Sequence, residues 1–284
     1  MKILILGASG MIGNAMMRVL SENKNWDVFG TIRSEYAKRF FSTKIAERLI
    51  SGIDVENYDV LVRVLAEMRA DVVINCVGLT KHLPGSENPL KALPINALLS
   101  HRLAGLCDLA EARLVHISTD CVFSGENGKY VEDDPADAKD IYGKSKYLGE
   151  VSYPHAITLR TSTIGPELQT THGLLDWFLS QQERCKGFKR AIFSGLPTMV
   201  FAQLIRDIVI PRPDLFGLYH VAGPVIAKFD LLQIIAEVYG KKIDIVPDEQ
   251  LVIDRSLNAD RFRAATGYVA PEWAELIKQM HAYQ

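Results

Sequence analysis

The first thirteen residues place a short apolar strand, Ile3 to Leu6, directly before Gly7, Gly10 and Gly13. An unbroken apolar run is typical of a central parallel strand that is covered on both faces. Glycines at this spacing permit a tight turn, a close backbone approach to a diphosphate and close packing of the next helix. Because amide groups at a helix start attract phosphate, the pattern predicts the pyrophosphate site of a dinucleotide. A purely structural strand–glycine–helix turn has the same pattern and remains the alternative.

Length and composition describe an ordinary globular protein. The 284 residues predict one large domain or two closely associated ones. The net charge of −2 provides no field that would attract nucleic acid or a membrane surface, so neither is expected as a partner. No apolar run approaches the roughly 18 residues of a membrane span, and the first strand leaves no room for a signal peptide. The four cysteines have no paired spacing, so we expect reduced thiols, no metal site and a cytoplasmic location.

Strand-like and helix-like segments alternate through the first part of the chain. The apolar pattern predicts a helix over residues 58–68, a largely helical stretch over residues 89–112 and strands over residues 72–76 and 114–118. This alternation predicts an α/β fold with a doubly wound parallel sheet, the Rossmann arrangement. The regular alternation loosens after residue 166. We therefore expect a dinucleotide-binding domain over residues 1–165, with about 195–222 added, and a smaller mixed α/β substrate-binding region over residues 166–284.

Two further features suggest acid–base chemistry. Tyr142 and Lys146 are four residues apart on a predicted helix, so their polar ends share one face. A nearby ammonium lowers the pKa of a phenol from about 10, which allows it to deliver a proton near neutral pH. Thr119 follows the predicted strand 114–118, at the sheet edge where open α/β proteins bind ligands. Alone, each feature also fits an exposed helix pair or a turn cap, but their order along the chain favours a catalytic site.

With these motifs, the chain resembles the extended short-chain dehydrogenase/reductases, and among them the dTDP-4-dehydrorhamnose reductases and related nucleotide-sugar enzymes. The likeness covers nearly the whole length, with matching stretches at residues 7–13, 52–55, 73–78, 118–125, 142–150, 159–162, 195–198 and 255–258. It implies reduction of a keto group of a deoxysugar nucleotide, at C4, by hydride from a nicotinamide. Such an enzyme would serve deoxysugar or cell-surface polysaccharide synthesis.

The resemblance also implies residue roles. Tyr142 would protonate the forming alkoxide, Lys146 would hold the nicotinamide ribose and lower the Tyr142 pKa, and Thr119 would hydrogen-bond the carbonyl oxygen. Asp54 and Val55 would border the adenine. The predicted cofactor-binding residues are Gly7, Ser9, Gly10, Met11, Ile12, Gly13, Arg33, Ser34, Asp54, Val55, Asn75, Cys76, Val77, Gly78, Tyr142 and Lys146.

The end of the second predicted strand bears on the choice of cofactor. An NAD site would place an acidic residue near Thr31, whereas an arginine suits the 2′-phosphate of NADP. Arg33 and Ser34 follow instead, so NADP(H) is expected, with NAD(H) as the alternative.

Four side chains are candidates for substrate contacts besides Thr119. Lys81 and His82 follow the strand over 72–76 and would reach the cleft, while Arg190 and Arg255 suit a substrate diphosphate because a guanidinium matches phosphate oxygens. A solvated loop is the alternative for Lys81 and His82.

Two departures from the family pattern limit the substrate assignment. Asp120 is followed by Cys121, so the acidic pair that dehydratases use is incomplete. Thr163 stands where the rhamnose-pathway reductases usually have tryptophan, which leaves the sugar open.

The sequence leaves other functions open. A nucleotide-sugar epimerase and a non-catalytic NADP-binding regulatory subunit remain alternatives, and a homodimer is left open. His116 lies in an apolar strand and is expected to be a core histidine with its hydrogen bonds satisfied. The acidic triplet Glu132, Asp133 and Asp134 is expected to be solvated.

Overall fold

The computed structural model describes residues 1–81 and 83–283. Its largest sheet has seven strands. The strands of this sheet are β1 (Lys2–Leu6), β2 (Asp27–Thr31), β3 (Leu49–Ile50), β4 (Val72–Asn75), β5 (Arg113–Thr119), β6 (Ala156–Thr161) and β11 (Gly217–His220). Their spatial order is β11-β6-β5-β4-β1-β2-β3, and the pairs from β3 through β5 are parallel. The predicted doubly wound α/β sheet is confirmed.

The remaining strands form three small sheets. Strands β7 (Thr163–Ile164) and β10 (Leu196–Pro197) form one pair, and β8 (Arg184–Phe188) and β13 (Asp244–Asp248) form another. Strand β9 (Ala191–Phe193) lies between β12 (Ile226–Ala227) and β14 (Ile253–Asp254).

Eleven α-helices connect the strands within the described residues. They are α1 (Met11–Leu20), α2 (Thr43–Ala46), α3 (Tyr58–Met68), α4 (Pro89–Ala92), α5 (Leu99–Leu109), α6 (Ile141–Leu148), α7 (Leu174–Ser180), α8 (Thr198–Leu204), α9 (Lys228–Val238), α10 (Asp260–Thr266) and α11 (Trp273–Ala282). Across residues 1–81 and 83–283, no helix combines the length and apolar character that crossing a bilayer requires.

The prediction that residues 89–112 are largely helical is confirmed, since the helical conformation runs from Pro89 to Leu109. Within it a π-helical turn, Leu93–Leu98, separates α4 from α5. Pro94 lies at the start of this turn and has no N–H to donate, so the regular hydrogen-bond ladder cannot run through it.

The chain forms two compact units. The first contains Met1–Ser118, Lys139–Leu159 and Ala202–Leu218. Its core includes the fully buried Leu4 and Leu6 of β1, packed with buried residues of α3 and α5 such as Leu61 and Leu103.

The second unit contains Thr119–Ala138, Arg160–Phe201 and the chain from Tyr219 onward. One of its cores is built around Phe123 and Tyr130, whose rings stack with centroids 4.1 Å apart.

Candidate active site

The glycine turn lies between β1 and α1, and its geometry requires glycine. Gly7 has a φ of +80°, which favours a residue without a side chain. A Cβ on Gly13 would overlap the carbonyl oxygen of Gly7, so α1 can approach the turn only because this position is glycine. Gly10 is the N-cap of α1, and no side chain caps this end or places an acidic group in its first turn. The first amides of α1 therefore suit an anionic ligand, which fits the predicted pyrophosphate.

The loop after β4 packs against this turn. A Cβ added to Gly7 would lie 2.9 Å from the Val77 side chain, and the Cys76 amide donates to the Leu6 carbonyl oxygen at 3.1 Å. Strands β1 and β4 are neighbours, but the chain runs from β1 toward the β3 edge of the sheet and from β4 toward the β11 edge. Doubly wound proteins bind nucleotides at such a reversal of strand order. Four predicted cofactor residues, Asn75 to Gly78, are thus brought beside the glycine turn.

The predicted adenine-side residues lie where β2 and β3 end. Arg33 and Ser34 are exposed, and the Ser34 hydroxyl accepts from the Tyr36 amide at 3.3 Å, capping a short 3₁₀ helix. Asp54 is exposed and accepts from the Glu56 amide at 3.0 Å, while Val55 packs against the core of the first unit. Positively and negatively charged side chains border this edge, but the residues directly after β2 include no acidic one.

Helix α6 carries Tyr142 and Lys146. Asp140 caps its start, because its carboxylate accepts from the Gly143 amide at 2.7 Å. Tyr142 is half-buried, whereas Lys146 is 5% exposed and donates to the Ile117 carbonyl oxygen at 2.7 Å. Burial lowers the pKa of Lys146 to about 8, although Glu150 and Cys76 oppose this shift. The predicted helix is confirmed, and the buried Lys146 lies one turn after Tyr142.

Lys81 lies on the same unit and contacts the start of α6. Its ammonium is 2.6 Å from the Asp140 carboxylate and 5.7 Å from the centre of the Tyr142 ring. His82, the neighbouring substrate candidate, lies outside the described residues.

Asn96 ties the loop after β4 to α6, a contact that sequence reasoning missed. It lies in the π-helical turn, where its side-chain amide accepts from the Leu79 N–H at 2.8 Å and donates to the Leu79 carbonyl oxygen at 3.0 Å. The same amide donates to the Ser145 hydroxyl of α6 at 3.1 Å. A Cβ on Gly149 would overlap the Asn96 carbonyl oxygen, so α6 can lie this close only with glycine there. Pro94 inside a predicted helix was the available signal.

The second unit holds Thr119 and Arg255 in one cluster. The Thr119 hydroxyl donates to the Asp120 carboxylate and accepts from the Cys121 amide, both at 3.1 Å. Arg255 donates to the Phe123 carbonyl oxygen at 2.8 Å and lies 3.8 Å from the Cys121 sulfur. Burial raises the Asp120 pKa, and Arg255 partly offsets this.

Arg190 is not brought beside Arg255. Arg190 is exposed and precedes β9, whereas Arg255 follows β14. Since Ala191 is registered with Ile253 in this parallel pair, the two arginines flank opposite ends of the ladder. Both remain substrate-contact predictions. Within the described residues, no group of three metal-ligating side chains is assembled.

Comparisons with known proteins agree with this fold. The family model described as RmlD substrate binding domain matches residues 1–282. A dTDP-4-dehydrorhamnose reductase of Aggregatibacter actinomycetemcomitans is 24% identical, over 99% of each chain. Methionine adenosyltransferase 2 subunit beta of Xenopus tropicalis is 28% identical, over 84% of this chain and 72% of its own.

Among solved structures, the dTDP-4-dehydrorhamnose reductase of Bacillus anthracis in complex with NADP superposes with a TM-score of 0.82. The two chains are 22% identical, and the match covers 100% of this chain and 98% of the other. The resemblance inferred from the motifs is confirmed. The chain belongs to the RmlD substrate binding domain family and is a dTDP-4-dehydrorhamnose reductase-like oxidoreductase of the extended short-chain dehydrogenase/reductase type.

Proposed function

We propose that this protein catalyses the NADPH-dependent reduction of the C4 keto group of a deoxysugar nucleotide. The observation that carries the proposal is the arrangement on α6, where Asp140 caps the helix and the buried Lys146 lies one turn after Tyr142. The family match supports the reaction class, and the relatives named as dTDP-4-dehydrorhamnose reductases support the substrate class.

The residues have the following proposed roles. When bound, the reduced nicotinamide supplies the hydride that adds to the carbonyl carbon. Tyr142 transfers its phenolic proton to the carbonyl oxygen as that oxygen becomes an alkoxide, and the Lys146 ammonium stabilises the phenolate left behind. Thr119 donates a hydrogen bond to the same oxygen in place of its present bond to Asp120.

The proposal also divides the chain by task. The dinucleotide is assigned to residues 1–165 with about 195–222, and substrate choice to residues 166–284. The start of α1 has no side-chain cap, and its first amides lie at the glycine turn. This supports the assignment of the dinucleotide to the first region. Arg33 at the end of β2, with no acidic residue in its place, supports NADPH over NADH.

The test is NADPH consumption with a panel of 4-keto-6-deoxy sugar nucleotides that differ in base and sugar. Tyr142→Phe is expected to lower turnover by about 10² to 10⁴ while NADPH affinity stays nearly unchanged. Tyr147→Phe is the matched control, because that phenol is exposed on the same helix. NADPH binding without consumption of any panel member, or full turnover by Tyr142→Phe, would contradict the proposal.

A non-catalytic NADP-binding subunit is the second candidate function. The observation that favours it is the 28% identity to a protein named as a subunit of methionine adenosyltransferase. The presence of Tyr142 and Lys146 in helical register argues against it, since binding alone does not require a proton donor. An epimerase would interconvert sugar nucleotides without net NADPH consumption, so product analysis in the same assay separates it.

A further inference from the structure

His116, at the centre of β5, has a buried nitrogen without a hydrogen-bond partner. The residue is 1% exposed. Within residues 1–81 and 83–283, its Nε2 is one of three buried side-chain nitrogen or oxygen atoms that lack a partner, the others being the phenol oxygens of Tyr239 and Tyr268. The prediction of a fully satisfied core histidine is therefore wrong. A buried unpaired donor destabilises a fold, so an apolar residue would suit this strand better unless the imidazole has another task.

The other ring nitrogen faces Asn75. Strands β4 and β5 register Asn75 opposite His116, and the Asn75 Nδ2 lies 3.1 Å from the His116 Nδ1. The backbone N–H of Val77 donates to the other end of the same amide, Oδ1, at 3.1 Å.

These contacts fix the protonation of the ring. Because the Val77 N–H can only donate, the amide atom facing it must be the oxygen, and the NH₂ group must face His116. The His116 Nδ1 therefore accepts, and the proton of the neutral ring resides on Nε2, the atom without a partner. Burial, and then the neighbouring Lys146 ammonium, hold the His116 pKa well below its usual range, so the ring stays neutral.

The chain of hydrogen bonds ends at the glycine turn. Asn75 holds the Val77 amide, and Val77 packs against Gly7. If the Asn75 amide rotated by half a turn, its NH₂ group would face the Val77 N–H and the loop could not keep this conformation. His116 supports the observed orientation because its Nδ1 accepts a hydrogen bond from the NH₂ group that faces it.

We infer that His116 is a positioning residue for the dinucleotide site, where its Nδ1 accepts from the Asn75 NH₂ group, anchors that amide and so helps to hold the Cys76–Gly78 loop against the glycine turn. The inference rests on the proposed function, in which this loop lines the cofactor. His116 contacts neither cofactor nor substrate and acts only through Asn75.

A spectroscopic measurement tests the first step without cofactor. In ¹⁵N-labelled protein, the His116 ring nitrogens, assigned by loss of their signals in His116→Phe, should show the neutral tautomer with its proton on Nε2. In Asn75→Asp both carboxylate oxygens accept, so the proton should move to Nδ1. A cationic ring, or a proton on Nδ1 in the natural protein, would overturn the inference.

Cofactor affinity tests the second step. His116→Phe should raise the NADPH dissociation constant about tenfold, which is the usual range for coupling through a shared hydrogen-bond network. His116→Gln, which keeps an acceptor, should restore affinity to within about threefold. His116→Phe combined with Asn75→Leu should bind no more weakly than Asn75→Leu alone, because His116 acts through Asn75.

Thr158→Val is the matched control for lost stability. Thr158 is fully buried in β6, and its hydroxyl bonds the backbone of Val151. It should lower the unfolding midpoint without weakening NADPH binding. Equal weakening by Thr158→Val, unchanged binding by His116→Phe, or additive effects in the double variant would each overturn the inference. Failure of the natural protein to bind NADPH would overturn the proposed function instead, while the tautomer measurement would still decide the His116–Asn75 contact.

Discussion

Lys81 and Asp140 form an ion pair of 2.6 Å, and the same carboxylate caps the helix that carries Tyr142. One oxygen of Asp140 accepts from the Gly143 amide, and the other receives the Lys81 ammonium. The loop after β4 is thus tied to the first turn of α6. The sequence analysis predicted that Lys81 contacts substrate, but in the structure its ammonium pairs with Asp140.

The two roles of Asp140 can be separated by substitution. Asp140→Asn keeps an oxygen for the cap and loses the charge, so it should lose only the half-exposed ion pair, about 0–1 kcal/mol of unfolding free energy. Asp140→Ala also loses the cap and should cost about 1–2 kcal/mol more. Urea unfolding measures both, with Lys81→Met as the control for the ion pair. Equal losses for the two Asp140 variants would show that the cap contributes nothing.

Lys146 should make the fold less stable at neutral pH than it is in alkali. Its pKa is about 8 in the folded protein against an ordinary value of 10.5, so between these values the unfolded chain binds more protons. Stability from this group therefore rises with pH across that window, by at most about 3 kcal/mol. Relative to Lys146→Met, the natural protein should gain unfolding free energy between pH 7 and about pH 10.

Lys144→Met provides the control, since Lys144 is exposed on the same helix. Its difference from the natural protein should stay constant with pH. A constant difference for Lys146→Met as well would mean that the Lys146 pKa is not lowered by burial.

Gly13 and Gly105 are a matched pair for testing the glycine turn. A Cβ on Gly13 would overlap the Gly7 carbonyl oxygen, whereas one on Gly105, exposed in α5, would meet nothing within 4 Å. Gly13→Ala should destabilise the protein by about 1–3 kcal/mol and abolish measurable NADPH binding. Gly105→Ala should stabilise it by about 0.5–1 kcal/mol and leave binding unchanged. Thermal unfolding and NADPH titration distinguish the two, and intact NADPH binding by Gly13→Ala would contradict the assigned turn.

Arg33 should decide the preference between the two nicotinamide cofactors. If its guanidinium pairs with the 2′-phosphate, Arg33→Ala should raise the dissociation constant of NADPH about tenfold or more, the value of one charge-assisted hydrogen bond. The NADH constant should not change, because NADH has no phosphate there. Arg48→Ala is the control, since Arg48 is also exposed but pairs with Asp27. Equal effects of Arg33→Ala on both cofactors would refute the assignment.

The elements that the sequence predicted correctly depend on local pattern. The helix over residues 58–68 has the predicted bounds, because its apolar spacing and the Asn57 cap are both contiguous in the chain. Strand β1, the glycine turn and the pairing of Tyr142 with Lys146 on one helix are equally local. They could be predicted because no distant residue is needed to define them.

The features that the sequence missed depend on distant partners. Glu132 was expected to be solvated, yet it is 6% exposed and its carboxylate accepts from the His220 amide at 2.8 Å. Its other oxygen lies 3.7 Å from Arg261. No window of sequence around Glu132 contains these donors. The interaction of Asn96 with Leu79 and Ser145 and the unpaired nitrogen of His116 were missed for the same reason.

His220 should make the fold sensitive to mild acid. Its ring is fully buried, where Nδ1 contacts the Tyr130 carbonyl oxygen at 3.0 Å and Nε2 contacts Arg160 at 3.2 Å. Burial, reinforced by the Arg160 charge, lowers the His220 pKa to about 3, so the ring is neutral in the folded protein. Below pH 6.5 the unfolded chain binds a proton that the folded chain does not. Stability from this group is therefore complete above pH 6.5 and is lost as pH falls toward 3, by at most about 5 kcal/mol.

His220→Gln retains an acceptor for Arg160 but has no group that titrates in this range. It should be less stable than the natural protein at pH 7, and the difference should shrink by about 2–3 kcal/mol at pH 4.5. His172→Gln is the control because His172 is exposed, and its difference from the natural protein should change little over the same interval. Unfolding by urea at the two pH values measures all three proteins. If the stability difference between His220→Gln and the natural protein were the same at pH 7 and pH 4.5, the folded protein would bind the proton on His220. The contact with Arg160 would then not keep this ring neutral.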